Sequence, residues 1–146
     1  MALKPKKVIN ELLVEVFNQI LNIEQQKLHD MGVSLSMNEV HVLEAIEKVD
    51  PPTMSNIARK LRVTVGTLTT AINRLVEKGY CTRASDQADR RKVFVYLTHQ
   101  ANETLKKHDA FHDDMINAII EDLNLEENTV LIESLHKVSE YFKNKY

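Results

Sequence analysis

A mainly helical α+β fold is what this sequence predicts, and three observations carry that expectation. Glycine and proline number only three each in 146 residues, too few breakers for a many-turned β protein. Apolar residues recur at helical spacing through most of the chain, as in Val8, Leu12, Val16, Ile20, Ile23 and Leu28. One segment alone, Lys92-Val93-Phe94-Val95-Tyr96-Leu97, is rich in β-branched and aromatic residues, the composition of a strand.

The first helix is expected from Lys7 to about Asp30. Ile9, Leu13, Phe17 and Leu21 widen its apolar stripe beyond what one neighbour needs, so a second subunit is the expected partner for part of it. Gly32 ends it. Ser36-Met37-Asn38-Glu39 has the form of a capping box for a helix to about Lys48, with Met37, Val40, Leu43, Ala45 and Ile46 inward. Asp50-Pro51-Pro52 forces a break. Thr53 can cap a short helix that buries Ile57, Ala58 and Leu61, Arg62-Val63 makes a turn, and Thr64 caps a longer helix ending near Gly79. Tyr80-Cys81-Thr82-Arg83 and the segment from Lys92 to Leu97 then form two strands around a polar loop tipped by Arg90 and Arg91. Thr98 caps a further helix carrying Leu105, Phe111, Met115, Ile119 and Ile120, and Asn124-Leu125-Glu126-Glu127 reads as a second capping box before the last helix.

The helix after Thr64 has two unlike faces. Leu68, Ala71, Ile72 and Leu75 share one; Gly66, Thr67, Thr69, Thr70 and Asn73 lie largely elsewhere. A solvated helix surface ordinarily carries Glu and Lys, so an uncharged, hydrogen-bonding face suits contact with a polar partner. Charge names that partner. Between Pro51 and Thr98 nine basic residues face three acidic ones, although the whole chain has a net charge of −2. A local excess of six positive charges is an electrostatic footprint for phosphates.

Two helices joined by a tight turn and followed by a basic hairpin make a winged helix-turn-helix, in which the second helix enters the major groove and the hairpin reaches a flanking minor groove. Thr64, Val65, Gly66, Thr67, Thr69, Thr70, Asn73 and Arg74 are the residues expected at DNA from the helix, and Arg90 and Arg91, oriented by Asp86 or Asp89, from the wing. The expected division is an N-terminal dimerisation helix (1–32), the winged helix-turn-helix (33–98) and C-terminal dimerisation helices (99–146) in a homodimer on palindromic duplex DNA.

No glycine-rich phosphate loop or nucleophile motif is present, so an enzyme is not expected. No apolar run approaches the roughly 20 residues of a membrane span, and the start resembles no signal peptide, so a cytoplasmic protein is expected. The single cysteine, Cys81, is expected as a half-buried strand residue, with a redox role requiring an exposed, electropositive setting.

Thr67-Leu68-Thr69 with Ile72, Leu75 and Lys78-Gly79-Tyr80, followed by Asp86-Gln87-Ala88-Asp89-Arg90-Arg91 and Leu97-Thr98, resembles the MarR family of transcription regulators. The resemblance implies a dimer whose wing arginine, here Arg91, enters the minor groove while Asp89 positions it and Arg90 meets the backbone. Ala101 stands where many members carry glycine. Within the family, the run from Val63 to Thr70 followed by Asn73 is similar to that of fatty-acid synthesis repressors. This implies long-chain acyl-acyl carrier protein as co-repressor.

Phe17, Ile20, Leu21, His41, His108, Phe111 and His112 are expected to meet at the junction of three helices and line an effector pocket; an ordinary core and dimer seam is the competing reading. No metal is expected as the first reading. The alternative is zinc on His41, His108 and His112, helped by Glu39 or Glu24, since imidazoles at i and i+4 can share one ion and zinc-responsive members of the resembled family use such a pair.

Overall fold

The computed structural model describes residues 2–146. Helical structure begins with α1 (Pro5–Asn10), passes through a stretch of π-helical geometry (Glu11–Val16) and continues as α2 (Phe17–Asp30). The sequence pattern predicted one uniform α-helix here, because apolar spacing does not separate i→i+4 from i→i+5 bonding. Then follow α3 (Met37–Lys48), α4 (Met54–Leu61), α5 (Val65–Glu77), β1 (Cys81–Ser85), β2 (Val93–Leu97), α6 (His99–Asp122), a 3-10 turn (Leu125–Glu127) and α7 (Thr129–Lys145).

Local chemistry sets most of these boundaries. Gly32 takes φ +80 after α2, a region glycine enters without a Cβ penalty. Ser36 and Glu39 form the expected capping box: the Glu39 amide donates to the Ser36 hydroxyl (3.2 Å) and the Ser36 amide to the Glu39 carboxylate (3.0 Å). The Gln25 carboxamide ties α2 to this cap, donating to the Leu35 carbonyl at 2.7 Å and accepting from the Met37 amide at 2.9 Å. Lys78 closes the other side, its ammonium 3.0 Å from the Glu39 carboxylate.

The strands pair antiparallel with Cys81 opposite Leu97 and Ser85 opposite Val93. Thr53 adds a bridge to Phe94, so the segment after the prolines lies beside β2. β1 runs two residues further than the sequence suggested and shortens the loop. The Thr98 hydroxyl donates to the Gly79 carbonyl (2.7 Å) and accepts from the Ala101 amide (3.3 Å), joining the end of α5 to the start of α6.

The chain divides into two compact units, one ending at His108 and the other Asp109–Tyr146. The first holds the core: Val40, Leu43, Ile57, Leu68, Ile72, Leu75 and Val95 are all 1% exposed or less. Burying each such side chain contributes about 1.5–3 kcal/mol. Cys81 belongs to this core at 2% exposure, deeper than the half-buried position expected for it.

In the second unit the predicted capping box at Asn124 does not form. Asn124 takes φ +53, and its Nδ2 donates to Glu127. The cap of α7 is Asn128, whose side chain accepts from the Leu131 amide at 3.1 Å. In this unit Ile116, Ile119, Ile132, Leu135, Val138 and Phe142 are exposed, as are Val8, Ile9, Leu12, Leu13 and Phe17 near the other end of the chain. Among the described residues no helix is long and apolar enough to cross a membrane.

Candidate nucleic-acid interface

α5 is held by caps and by its inner face. The Thr64 hydroxyl accepts from the Thr67 amide (3.1 Å) and donates to the Thr67 hydroxyl (2.9 Å), so one side chain satisfies a free helix amide and orients its neighbour. Arg62 makes the turn from α4 in the left-handed region, at φ +56. α4 is capped by Thr53, which accepts from the Asn56 amide at 3.2 Å. Leu68, Ile72 and Leu75 bury one face of α5 and leave Thr64, Val65, Gly66, Thr67, Thr70, Asn73 and Arg74 exposed and Thr69 half-buried. A Cβ placed on Gly66 would meet only the Thr64 hydroxyl, at 4.0 Å, so this position is open towards solvent.

The hydroxyls of that face are not alike. Thr69 donates to the Val65 carbonyl (2.8 Å) and Thr70 to the Gly66 carbonyl (3.4 Å). Their protons are turned back into the helix, which leaves each hydroxyl oxygen to act as an acceptor. Thr67 accepts the Thr64 proton and keeps its own for a partner.

In the wing, Asp89 Oδ1 accepts from the Arg91 amide (3.1 Å) and from Arg91 Nε (3.2 Å). Asp86 accepts from the Ala88 amide (2.9 Å) and shapes the loop, orienting no arginine. Arg90 is exposed.

A cleft of about 470 Å³ lies between the start of α4, the start of α5 and the wing; Asn56, Val65, Thr69, Arg83, Arg91 and Lys92 are among its walls, and none of its lining residues is acidic. Arg83 was not among the residues expected at this surface. It donates through Nη1 to Asn73 Oδ1. The signal was strand periodicity: two residues from buried Cys81, Arg83 shares its face of the ribbon and turns towards α5.

A second polar group lies inside the first unit. His108 is 3% exposed, with Nδ1 2.8 Å from Glu44 and Nε2 3.7 Å from the equally buried Glu24. The imidazole's hydrogen bond holds the Glu44 carboxyl below the ordinary carboxylate range, against an opposing push from burial. Glu24, Glu44 and His108 carry donor types that zinc accepts. His41 is half-buried on α3, three residues before Glu44. Glu39, offered from sequence as a ligand, is committed to Lys78 and the α3 cap. Of the other expected pocket residues, Phe17 is exposed, Ile20 and Leu21 are half-buried on α2, and Phe111 and His112 are half-buried on α6 with their rings edge-on at 6.0 Å.

The sequence pattern of the MarR family matches residues 35–93, the stretch from the α3 cap to the start of β2. The transcriptional regulator AdcR of Streptococcus pneumoniae is 33% identical over 107 residues, 70% of this chain and 70% of that protein. The chain belongs to the MarR family. YkoM, an uncharacterised helix-turn-helix regulator of Bacillus subtilis, is 31% identical over 99 residues, which span 68% of this chain and 64% of that protein. Streptococcus pneumoniae FabT, solved in complex with DNA, superposes with a TM-score of 0.86 at 32% identity, covering 97% of this chain and 99% of that one. The MarR match contains α4, α5 and the whole wing loop, so the basic cleft and the Asp89–Arg91 pair lie within the family's shared region. MarR-family proteins are transcription regulators rather than enzymes.

Proposed function

We propose that the chain is a cytoplasmic, homodimeric repressor that binds palindromic duplex DNA, α5 entering the major groove and the wing arginines the minor groove. The observation that carries this reading is its likeness, over almost the whole chain, to FabT held on DNA. Exposed apolar side chains occur near each end of the chain, and dimers bury side chains of this kind. We take 1–32 and 99–146 as the dimerisation regions and 33–98 as the DNA-binding region. Half-sites then fall about one DNA turn apart, because a two-fold protein axis matches a palindrome.

The regulated genes under this proposal are those of fatty-acid synthesis, with long-chain acyl-acyl carrier protein as co-repressor and Phe17, Ile20, Leu21, His41, His108, Phe111 and His112 as the residues proposed to respond to it. The run from Val63 to Thr70 and the FabT likeness support this choice. A second reading is a zinc-responsive regulator, favoured by the buried approach of His108 to two carboxylates. Titration of operator DNA with the protein alone, with acyl-loaded carrier protein and with zinc separates them. Tighter binding with the acyl carrier supports the first; tighter binding with zinc alone replaces it by the second. No response to either removes both effectors and leaves the DNA-binding proposal standing.

A further inference from the structure

Arg83 and Asn73 together make a reading element that neither makes alone. A guanidinium has five donors and no acceptor, so the side-chain amide of Asn73 must turn its oxygen towards Arg83, as it does. The amide nitrogen of this exposed side chain is thereby left as its donor. The guanidinium also lines the acid-free cleft that Thr69 lines, one helical turn before Asn73, and among the described residues only its Nη1 is bonded. The guanidinium and the Asn73 amide nitrogen together present a positively charged group of donors beside α5.

The four base pairs differ in what they show such a group. Guanine presents two acceptors in the major groove, N7 and O6, whereas adenine presents one acceptor and the N6 donor. Asparagine alone favours adenine, donating to N7 and accepting from N6. With its oxygen taken by a cation, that second bond is lost and the N6 amino group meets a positive charge.

We propose that Arg83 is a specificity-determining residue that acts with Asn73, and that the pair selects guanine at the base step it faces. This rests on the reading of α5 as the major-groove helix. It accounts for an exposed arginine on the wing strand two residues from buried Cys81, where core packing requires none.

The test is selection from a randomised duplex library by the full-length wild type and the Asn73→Ala, Arg83→Ala, Arg83→Lys and Thr67→Val variants, with affinities measured over a range of salt. The step in question is the one whose preference Asn73→Ala alters. Wild type is expected to prefer guanine there by about tenfold or more. Arg83→Ala should convert that preference to adenine by releasing the Asn73 oxygen. Arg83→Lys, which keeps charge but loses the fork, should weaken the guanine preference while leaving the salt slope unchanged. Matching circular dichroism spectra and melting temperatures establish that the variants are folded.

Retention of the same base by Arg83→Ala overturns the proposal, as does an equal loss on every duplex with a salt slope lower by about one, the mark of a phosphate contact. No altered step in Asn73→Ala also overturns it. If wild type selects a sequence and Thr67→Val shifts it while both Arg83 variants do not, the pairing fails and the α5 reading survives. If wild type selects no sequence at all, both fail.

Discussion

Asp89 holds Arg91 through one carboxylate oxygen that accepts from both the backbone amide and Nε of the arginine. The two terminal nitrogens stay free on a side chain that is 92% exposed. The pair fixes where the charge points without cancelling the fork that would enter a groove. As a stabilising ion pair it contributes little, being so exposed; its value lies in orientation. Arg91→Ala is expected to weaken binding to a preferred duplex by about 1–3 kcal/mol and to relax the preference for A·T pairs beneath the wing. Asp89→Ala should cost less, about 0.5–1.5 kcal/mol, because the cation remains and only its placement is lost. Fluorescence anisotropy on A·T-flanked and G·C-flanked versions of one site reads both effects. Equal affinity of Arg91→Ala and wild type on both versions would remove the wing from the interface.

Thr67 and Thr69 differ in what their hydroxyls have left to give. Valine at either position keeps the shape and deletes the hydroxyl. Thr67→Val is expected to reduce affinity for the preferred sequence by about 1 kcal/mol, or fivefold, by removing a donor facing outward. Thr69→Val should change it by less than about twofold, since that proton already bonds the Val65 carbonyl. Competition binding measures the difference; a larger loss for Thr69→Val would show that its hydroxyl reorients on DNA.

The Glu39 carboxylate serves two ends of the fold, capping α3 and meeting Lys78 at the end of α5. Partial burial pushes its pKa up, but the Ser36 amide and the Lys78 ammonium outweigh that push and leave it below its ordinary value of 4.5. A depressed acid contributes stability that is full above the unfolded value and is lost as the pH falls through the lower folded value. Glu39→Gln keeps an acceptor for the cap and should cost about 0.3–0.5 kcal/mol at neutral pH, Lys78 being substantially exposed. Glu39→Ala, which loses both contacts, should cost about 1–1.5 kcal/mol. Urea denaturation at neutral pH and below pH 4.5 checks this: the gap between wild type and Glu39→Gln should narrow on acidification.

Burial pushes the Cys81 thiol up to about 12, so almost none of it is thiolate at neutral pH. Thiol reagents are expected to label it only as the protein unfolds, and peroxide should leave DNA binding unchanged. Rapid labelling of the native protein, followed by mass spectrometry, would contradict that placement.

What was legible from the sequence was local. Ser36 with Glu39, Thr53 and Thr64 announce their helices because a cap and the amides it satisfies lie within three residues. The inner face of α5 was legible from 3.6-residue spacing, and the wing from its β-branched strand and paired arginines. Asn124 shows the limit of such patterns: its surroundings spell a capping box, yet the backbone turns left-handed there and the cap passes to Asn128. Relationships between distant residues were invisible. Lys78 reaches Glu39 across 39 positions and Arg83 reaches Asn73 across a helix end and a turn. Thr69 and Thr70 show a further limit, since composition names a hydroxyl but not where its proton goes.

Reading of duplex DNA by α5 and the wing is what the binding expectations share. Its most direct test is the affinity of the full-length protein for a library-selected palindrome and for its scrambled counterpart, measured from about 50 to 200 mM salt. At least about a thousandfold preference for the palindrome is expected, with affinity for both duplexes falling as salt rises. Equal affinity for the two duplexes, or binding indifferent to salt, would contradict it.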